Sequence, residues 1–216
     1  MSEKKEHEIK VSTMILGTTV AKFDLPMGLV DDINKLYDES RLKMPDWNEN
    51  LVGKIKEEKL VNDMLTKDMK GIFLNCFRKY LEVAQKPFWV CMPEAVWIND
   101  MSAGEYNPLH FHSSNLSDLG LSSVFILKRP STYGKEYSKE KQPKNGWLHF
   151  AGGDQSPVSV SHIAVDAKPG EFYVFPYTLL HGVYPFNSTE ETRRTMSYNC
   201  NLFKESALKK EIELPK

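Results

Sequence analysis

His110 and His112 stand two residues apart, His181 lies 69 residues beyond His112, and Arg193 follows twelve residues after that. In an extended strand the side chains at i and i+2 leave the same face, so two imidazoles can converge on one ion. Neutral imidazole is a ligand for Fe, Zn, Cu and Ni. Two early ligands, a third from a distant segment and coordination positions left over are what a metal centre needs for chemistry rather than for structure. The competing reading is a set of histidines that bind nothing. His149 and His162, outside this pattern, are taken that way, and His7 lies in a polar, frayed start that lacks the apolar core of a signal peptide.

Positioning such residues requires strands. From Phe88 onward, short β-rich runs alternate with Gly, Pro, Asn and Ser clusters: AVWIND, SSVFILKRP, SVSHIAVDA, EFYVFP and TMSYNCNLF. That spacing predicts an all-β sandwich or barrel. The polar stretch 131–145 reads as a surface loop. Upstream, residues 12–25 (STMILGTTVAKFDL) read as a strand. Leu29, Ile33, Leu36 and Tyr37 fall on one face of a 3.6-residue period. A longer helix is expected over 60–84, with Met69, Ile72, Phe73, Cys76, Tyr80 and Leu81 as its apolar stripe and Pro87 beyond its end. The expected architecture is mainly β with N-terminal helices: an N-terminal strand and helical layer over 1–87 against a β core over 88–206, one domain across 1–216.

Composition narrows the function. The 216 residues carry 28 Lys+Arg against 29 Asp+Glu, and 41% are hydrophobic. Such a chain is globular, and a near-zero charge argues against a nucleic-acid partner. No basic stripe with interleaved aromatics is visible. No apolar run approaches the ~20 residues of a membrane span, so no membrane partner is expected. Cys76, Cys91 and Cys200 form no CxxC, which removes zinc ribbons and points to a reduced, cytoplasmic setting. The apolar helix near 60–84 is compatible with a homodimer contact.

Several stretches in order carry a family resemblance: LVGKIKEE (51–58), WIND (97–100), GEYNPLHFHS (104–113), SSVFILKRP (122–130), GEFYVFPYTLLHGVYPF (170–186) and RRTMSYN (193–199). Together they resemble the 2-oxoglutarate- and Fe(II)-dependent oxygenases, closest to those of tailed phages and marine bacteria related to the prolyl hydroxylases. The resemblance implies a double-stranded β-helix (a cupin-like jelly roll), Fe(II) and 2-oxoglutarate as cofactors, and hydroxylation with release of succinate and CO₂. For a phage enzyme the site of action would be the host cytoplasm. His110 matches the first metal ligand of that family and His181 the distal one. His112 stands where a carboxylate is usual. Three arrangements follow: three histidines on the iron, Asp118 swinging in as the acid ligand, or His112 not binding. The first is preferred.

Arg193 matches the residue that binds the distal carboxylate of 2-oxoglutarate, as a guanidinium fork can do bidentately. Thr195, Ser197 and Asn199 share its strand face by alternation. A one-residue slip would exchange Arg193 for Arg194. Asn99 and Tyr106 are weaker cofactor contacts; Trp97 and Phe125 read as core, and Lys128 and Arg129 as surface. The stretches 131–145 and 113–120 are expected lids over a prime substrate that is a protein side chain or a small molecule. Two rivals remain: a three-histidine cupin-like metalloenzyme that uses no 2-oxoglutarate, and a non-catalytic jelly-roll binding module.

Overall fold

The computed structural model describes residues 17–50, 52–117, 119–135, 144–153, 159–187 and 190–206. In chain order these form β1 (Ala21–Asp24), α1 (Met27–Ser40), two 3-10 turns, β2 (Glu57–Leu60), α2 (Lys67–Val83), β3 (Trp89–Met101), β4 (Asn107–His110), β5 (Gly120–Lys128), β6 (Leu148–Ala151), β7 (His162–Val165), β8 (Glu171–Pro176), β9 (Leu180–Val183) and β10 (Arg193–Lys204). The strands make a six-stranded sheet, β1-β8-β5-β10-β3-β2, and a four-stranded sheet, β4-β9-β6-β7. Every pairing between them is antiparallel. This is the double-stranded β-helix that the sequence led us to expect.

The large sheet is buried on both faces, and β10 (RRTMSYNCNLFK) alternates polar residues on one face with apolar residues on the other. On the outer face α1 and α2 pack over Ile98, Phe125, Phe172, Met196 and Tyr198. Phe73 of α2 is the hub, meeting the rings of Phe125, Phe172 and Tyr198 edge-on at 5.2–6.0 Å between centroids. On the inner face Met101, Val124, Ile126 and Phe175 meet Leu148, Phe150 and Val183 of the small sheet. The candidate residues sit in the gap between the sheets.

Three expectations shift. Residues 57–60 are a strand paired with β3, so Leu60, where the long helix was expected to begin, ends a strand instead. The helix begins after Thr66, whose hydroxyl accepts from the Met69 amide and so caps it. Along α2, Ile72 is partly exposed and Phe77 is buried in its place, a small rotation of the stripe about the helix axis. The N-terminal strand is confined to Ala21–Asp24, and residues before 17 lie outside the described residues. Strands β4, β6 and β9 are too short to show in the pattern of residue types, yet β4 bears His110 and β9 bears His181.

Candidate functional site

His110 closes β4 and lies directly opposite His181 of β9 in the ladder. β4 can approach this closely because residue 182 is glycine: a Cβ there would come within 2.8 Å of the Asn107 and Pro108 carbonyl oxygens. His112 lies just past β4, its amide bonded to the Tyr177 carbonyl at 2.9 Å. One ligand atom from each of the three rings falls within 4.8 Å of the others, and no larger cluster of His, Cys, Asp or Glu occurs among the described residues.

The back of each ring is held. His110 Nδ1 donates to the Pro108 carbonyl at 2.8 Å, and His181 Nδ1 donates to the Leu179 carbonyl at 2.9 Å. A proton fixed on Nδ1 leaves the Nε2 lone pair bare. His112 Nε2 and His181 Nε2 stand 3.1 Å apart. At that separation both bare nitrogens could reach one metal ion. Burial and the neighbouring rings push His112 down to about 3 and His181 well below the usual histidine range; burial also lowers His110. All three are therefore neutral ligands at neutral pH. The donor set fits a divalent metal ion.

Asn199 stands behind His112, its amide nitrogen 3.5 Å from Nδ1, while its buried Oδ1 has no partner. Rotating this amide by 180° turns both facts into one hydrogen bond, His112 Nδ1–H to Asn199 Oδ1, and leaves His112 in the same metal-ready tautomer as the other two. The sequence put Asn199 on the cofactor face. The structure brings it to the back of a candidate ligand, beside the β10 irregularity at Tyr198/Cys200.

Arg193, Thr195 and Ser197 of β10 line the same cleft as the three histidines, and so does Asn99 of β3. Register explains this: Arg193 faces Met101, Thr195 faces Asn99 and Ser197 faces Trp97, all on the inner face. Arg193 is 3% exposed, and its Nη2 has no partner. Among the described residues it makes no ion pair. Burial pulls its pKa down, and nearby Tyr133 opposes that pull. Arg194 takes the other face. Its Nε and Nη2 donate to the two Asp100 oxygens at 2.6 and 2.7 Å, its Nη1 lies 2.8 Å from Asp38, and its guanidinium covers the Tyr37 ring at 4.5 Å. The choice between the two arginines is therefore made by register: one serves the cleft, the other locks α1 to the sheet.

Tyr106 does not line the cleft and is partly exposed. Trp97 lines it, although it reads as core, and Phe125 is core. Lys128 pairs with Asp38 and Arg129 with Asp166. His149 and His162 form a separate pair at 2.9 Å. Asp118 and residues 136–143 lie outside the described residues. Sequence reasoning missed Tyr133, Asn107 and the buried carboxyl of Glu58. Nothing in a single sequence marks them, because each reaches the site through a strand pairing or a loop crossing.

Comparison with known proteins agrees with the geometry. Residues 95–199, which contain every candidate ligand and Arg193, match the family model described as "Putative 2OG-Fe(II) oxygenase". No curated protein sequence is similar to this chain. Among solved structures, a Pseudomonas putida prolyl-4-hydroxylase is similar at 13% identity and TM-score 0.56, over 84% of this chain and 91% of its own. A Trichoplax adhaerens prolyl hydroxylase, solved in complex with a hypoxia inducible factor peptide fragment, is similar at 10% identity and TM-score 0.56, over 92% and 88%. The α-ketoglutarate-dependent carbocyclase SnoK from nogalamycin biosynthesis is similar at 11% identity and TM-score 0.59, over 85% and 79%. At these identities the structural likeness concerns the fold.

Proposed function

The chain belongs to the 2-oxoglutarate- and Fe(II)-dependent oxygenase superfamily, and from that premise we propose that His110, His112 and His181 hold the iron while Arg193 grips the far carboxylate of 2-oxoglutarate. The observation that carries this reading is the unpaired Arg193. A guanidinium that is 3% exposed and makes no ion pair among the described residues is costly unless an anion joins it. The cleft that contains it also contains three neutral imidazoles. A dicarboxylate that chelates at one end and ion-pairs at the other satisfies both. The cupin-like rival without 2-oxoglutarate leaves Arg193 with no function.

Fe(II) and 2-oxoglutarate, when bound, would let dioxygen hydroxylate a C–H bond, one oxygen atom entering that bond and the other entering the succinate that 2-oxoglutarate gives with CO₂. The chain's own residues bind and orient. Thr195 and Ser197 offer hydroxyl donors next to Arg193, and Tyr133 adds a phenol. Asn199 fixes the His112 tautomer. Three neutral ligands leave the full dipositive charge of the metal for the incoming anion, whereas a carboxylate ligand would cancel one unit of it. The prime substrate is a protein side chain or a small molecule, and the prolyl hydroxylase neighbours make a peptide a natural first candidate.

The test is an anaerobic titration of the Fe(II)-loaded protein with 2-oxoglutarate, watching for the visible charge-transfer band of the chelate. The band is expected in the wild type and lost in His181→Ala. Iron binding with no band would favour the cupin-like rival; no iron binding would overturn the assignment of the three ligands.

A further inference from the structure

Beside Thr195, which serves 2-oxoglutarate in the reading above, the cleft and the strand behind it carry acceptors to which that reading gives no partner. Glu58 of β2 pairs with Asn99 of β3, and Asn99 pairs with Thr195 of β10. The three side chains therefore form one row on the inner face. Asn99 lines the cleft, is 7% exposed, and its Oδ1 has no partner. Glu58, next in the row, is 3% exposed, and its Oε1 has no partner either. Asn107 lines the cleft from β4, and its Oδ1 is a third unpartnered acceptor. Nearby, Glu105 is buried and accepts from the Lys56 and Ser102 amides at 3.2 and 2.8 Å. Neither acid makes an ion pair among the described residues.

An ionised acid buried without a cation is costly, and the group escapes that cost only by holding its proton. Arg193 does not relieve it, since its anion is already assigned. Resting on the oxygenase reading above, we infer that the Glu58–Asn99–Asn107 wall is the subsite for the prime substrate, and that the substrate presents a protonated amine to it. An ammonium has three donors and no acceptor, matching three acceptor oxygens. A hydroxyl has one donor, and its lone pairs would face further acceptors. The two asparagine amides can rotate to suit another ligand, whereas an ionised carboxylate only accepts. Burial and the Glu105 charge push Glu58 up to about 7, so no cation holds it ionised in the free protein and an arriving one would do so.

The experiment uses n-butylammonium and its neutral counterpart n-butanol as probes, with wild type and Glu58→Gln, above pH 8. The indole resonance of Trp97, which lines the cleft, reports the probes. The chelate band independently reports 2-oxoglutarate. The expected result is saturable binding of n-butylammonium but not n-butanol, weakened about tenfold or more in Glu58→Gln with the chelate band unchanged. Equal binding of both probes, equal binding by both proteins, or no ammonium binding while the chelate band is intact would overturn the inference. If the chelate band itself fails, the oxygenase ligand assignment has failed. The same titration of the metal-free protein then decides the amine subsite alone, by the same outcomes.

Discussion

Replacing Arg193 and Arg194 in turn by Met should move binding and stability in opposite directions, although the residues are adjacent and chemically identical. Arg194 has an acid at both ends of its fork and a ring beneath it. Arg194→Met strips the partner from Asp100, itself 5% exposed. Breaking a buried pair from one side costs about 3–5 kcal/mol. At ~2–4 °C per kcal/mol for a chain of this size, the Tm should fall by roughly 6–20 °C. Arg193 has no acid to abandon among the described residues. Arg193→Met removes an uncompensated buried charge, and the ligand-free protein should hold its Tm or gain on the order of 1 kcal/mol. Its loss should appear only with ligand. Two charge-assisted hydrogen bonds at ~1.5–3 kcal/mol each correspond to a 2-oxoglutarate affinity about 10²–10⁴-fold weaker. Differential scanning calorimetry of the metal-free proteins and anaerobic chelate-band titrations of the loaded ones measure the two effects. A ligand-free Arg193→Met protein as destabilised as Arg194→Met, or one that binds 2-oxoglutarate like the wild type, would refute the reasoning.

Three further outcomes are expected. Asn199→Leu should weaken Fe(II) binding about 10–100-fold, measured by competition with a chelator, and Asn199→Asp should restore most of it, because the oxygen that accepts from His112 Nδ1–H is what matters. The carboxyl of Glu58 is at 4.5 in an unfolded chain and about 7 when folded, so the folded state holds the extra proton in between. Stability should therefore fall as pH rises from about 4.5 to 7, by about 3 kcal/mol in total, and denaturant titrations of Glu58→Gln should lack that slope. Gly182→Ala puts a Cβ 2.7 Å from the Asn107 carbonyl oxygen; β4 must move off β9, and the variant should lose both about 1–3 kcal/mol of stability and most of its metal affinity, read by thermal melts and chelator competition.

The sequence by itself determined the parts whose signal is local or ordered along the chain. The apolar period of α1 and the stripe of α2 follow from 3.6-residue geometry. The HxH pair, the distal His181 and Arg193 lie far apart in sequence, but their types and order are visible without coordinates, and so is the resemblance that carries the fold. Tertiary structure decided what depends on register. Whether Arg193 or Arg194 enters the cleft is a one-residue question, and the pairings Arg193–Met101 and Arg194–Asp100 answer it. Asn199 lies two residues from Ser197, yet it supports a ligand ring from behind rather than lining the cleft. Glu58 looks like one more acid in a polar stretch until β2 pairs with β3 and buries it beside Asn99. The physical reason is common to all three. A side chain's type is fixed by its codon, but its cost or usefulness is set by what faces it, and across a sheet that neighbour comes from another strand.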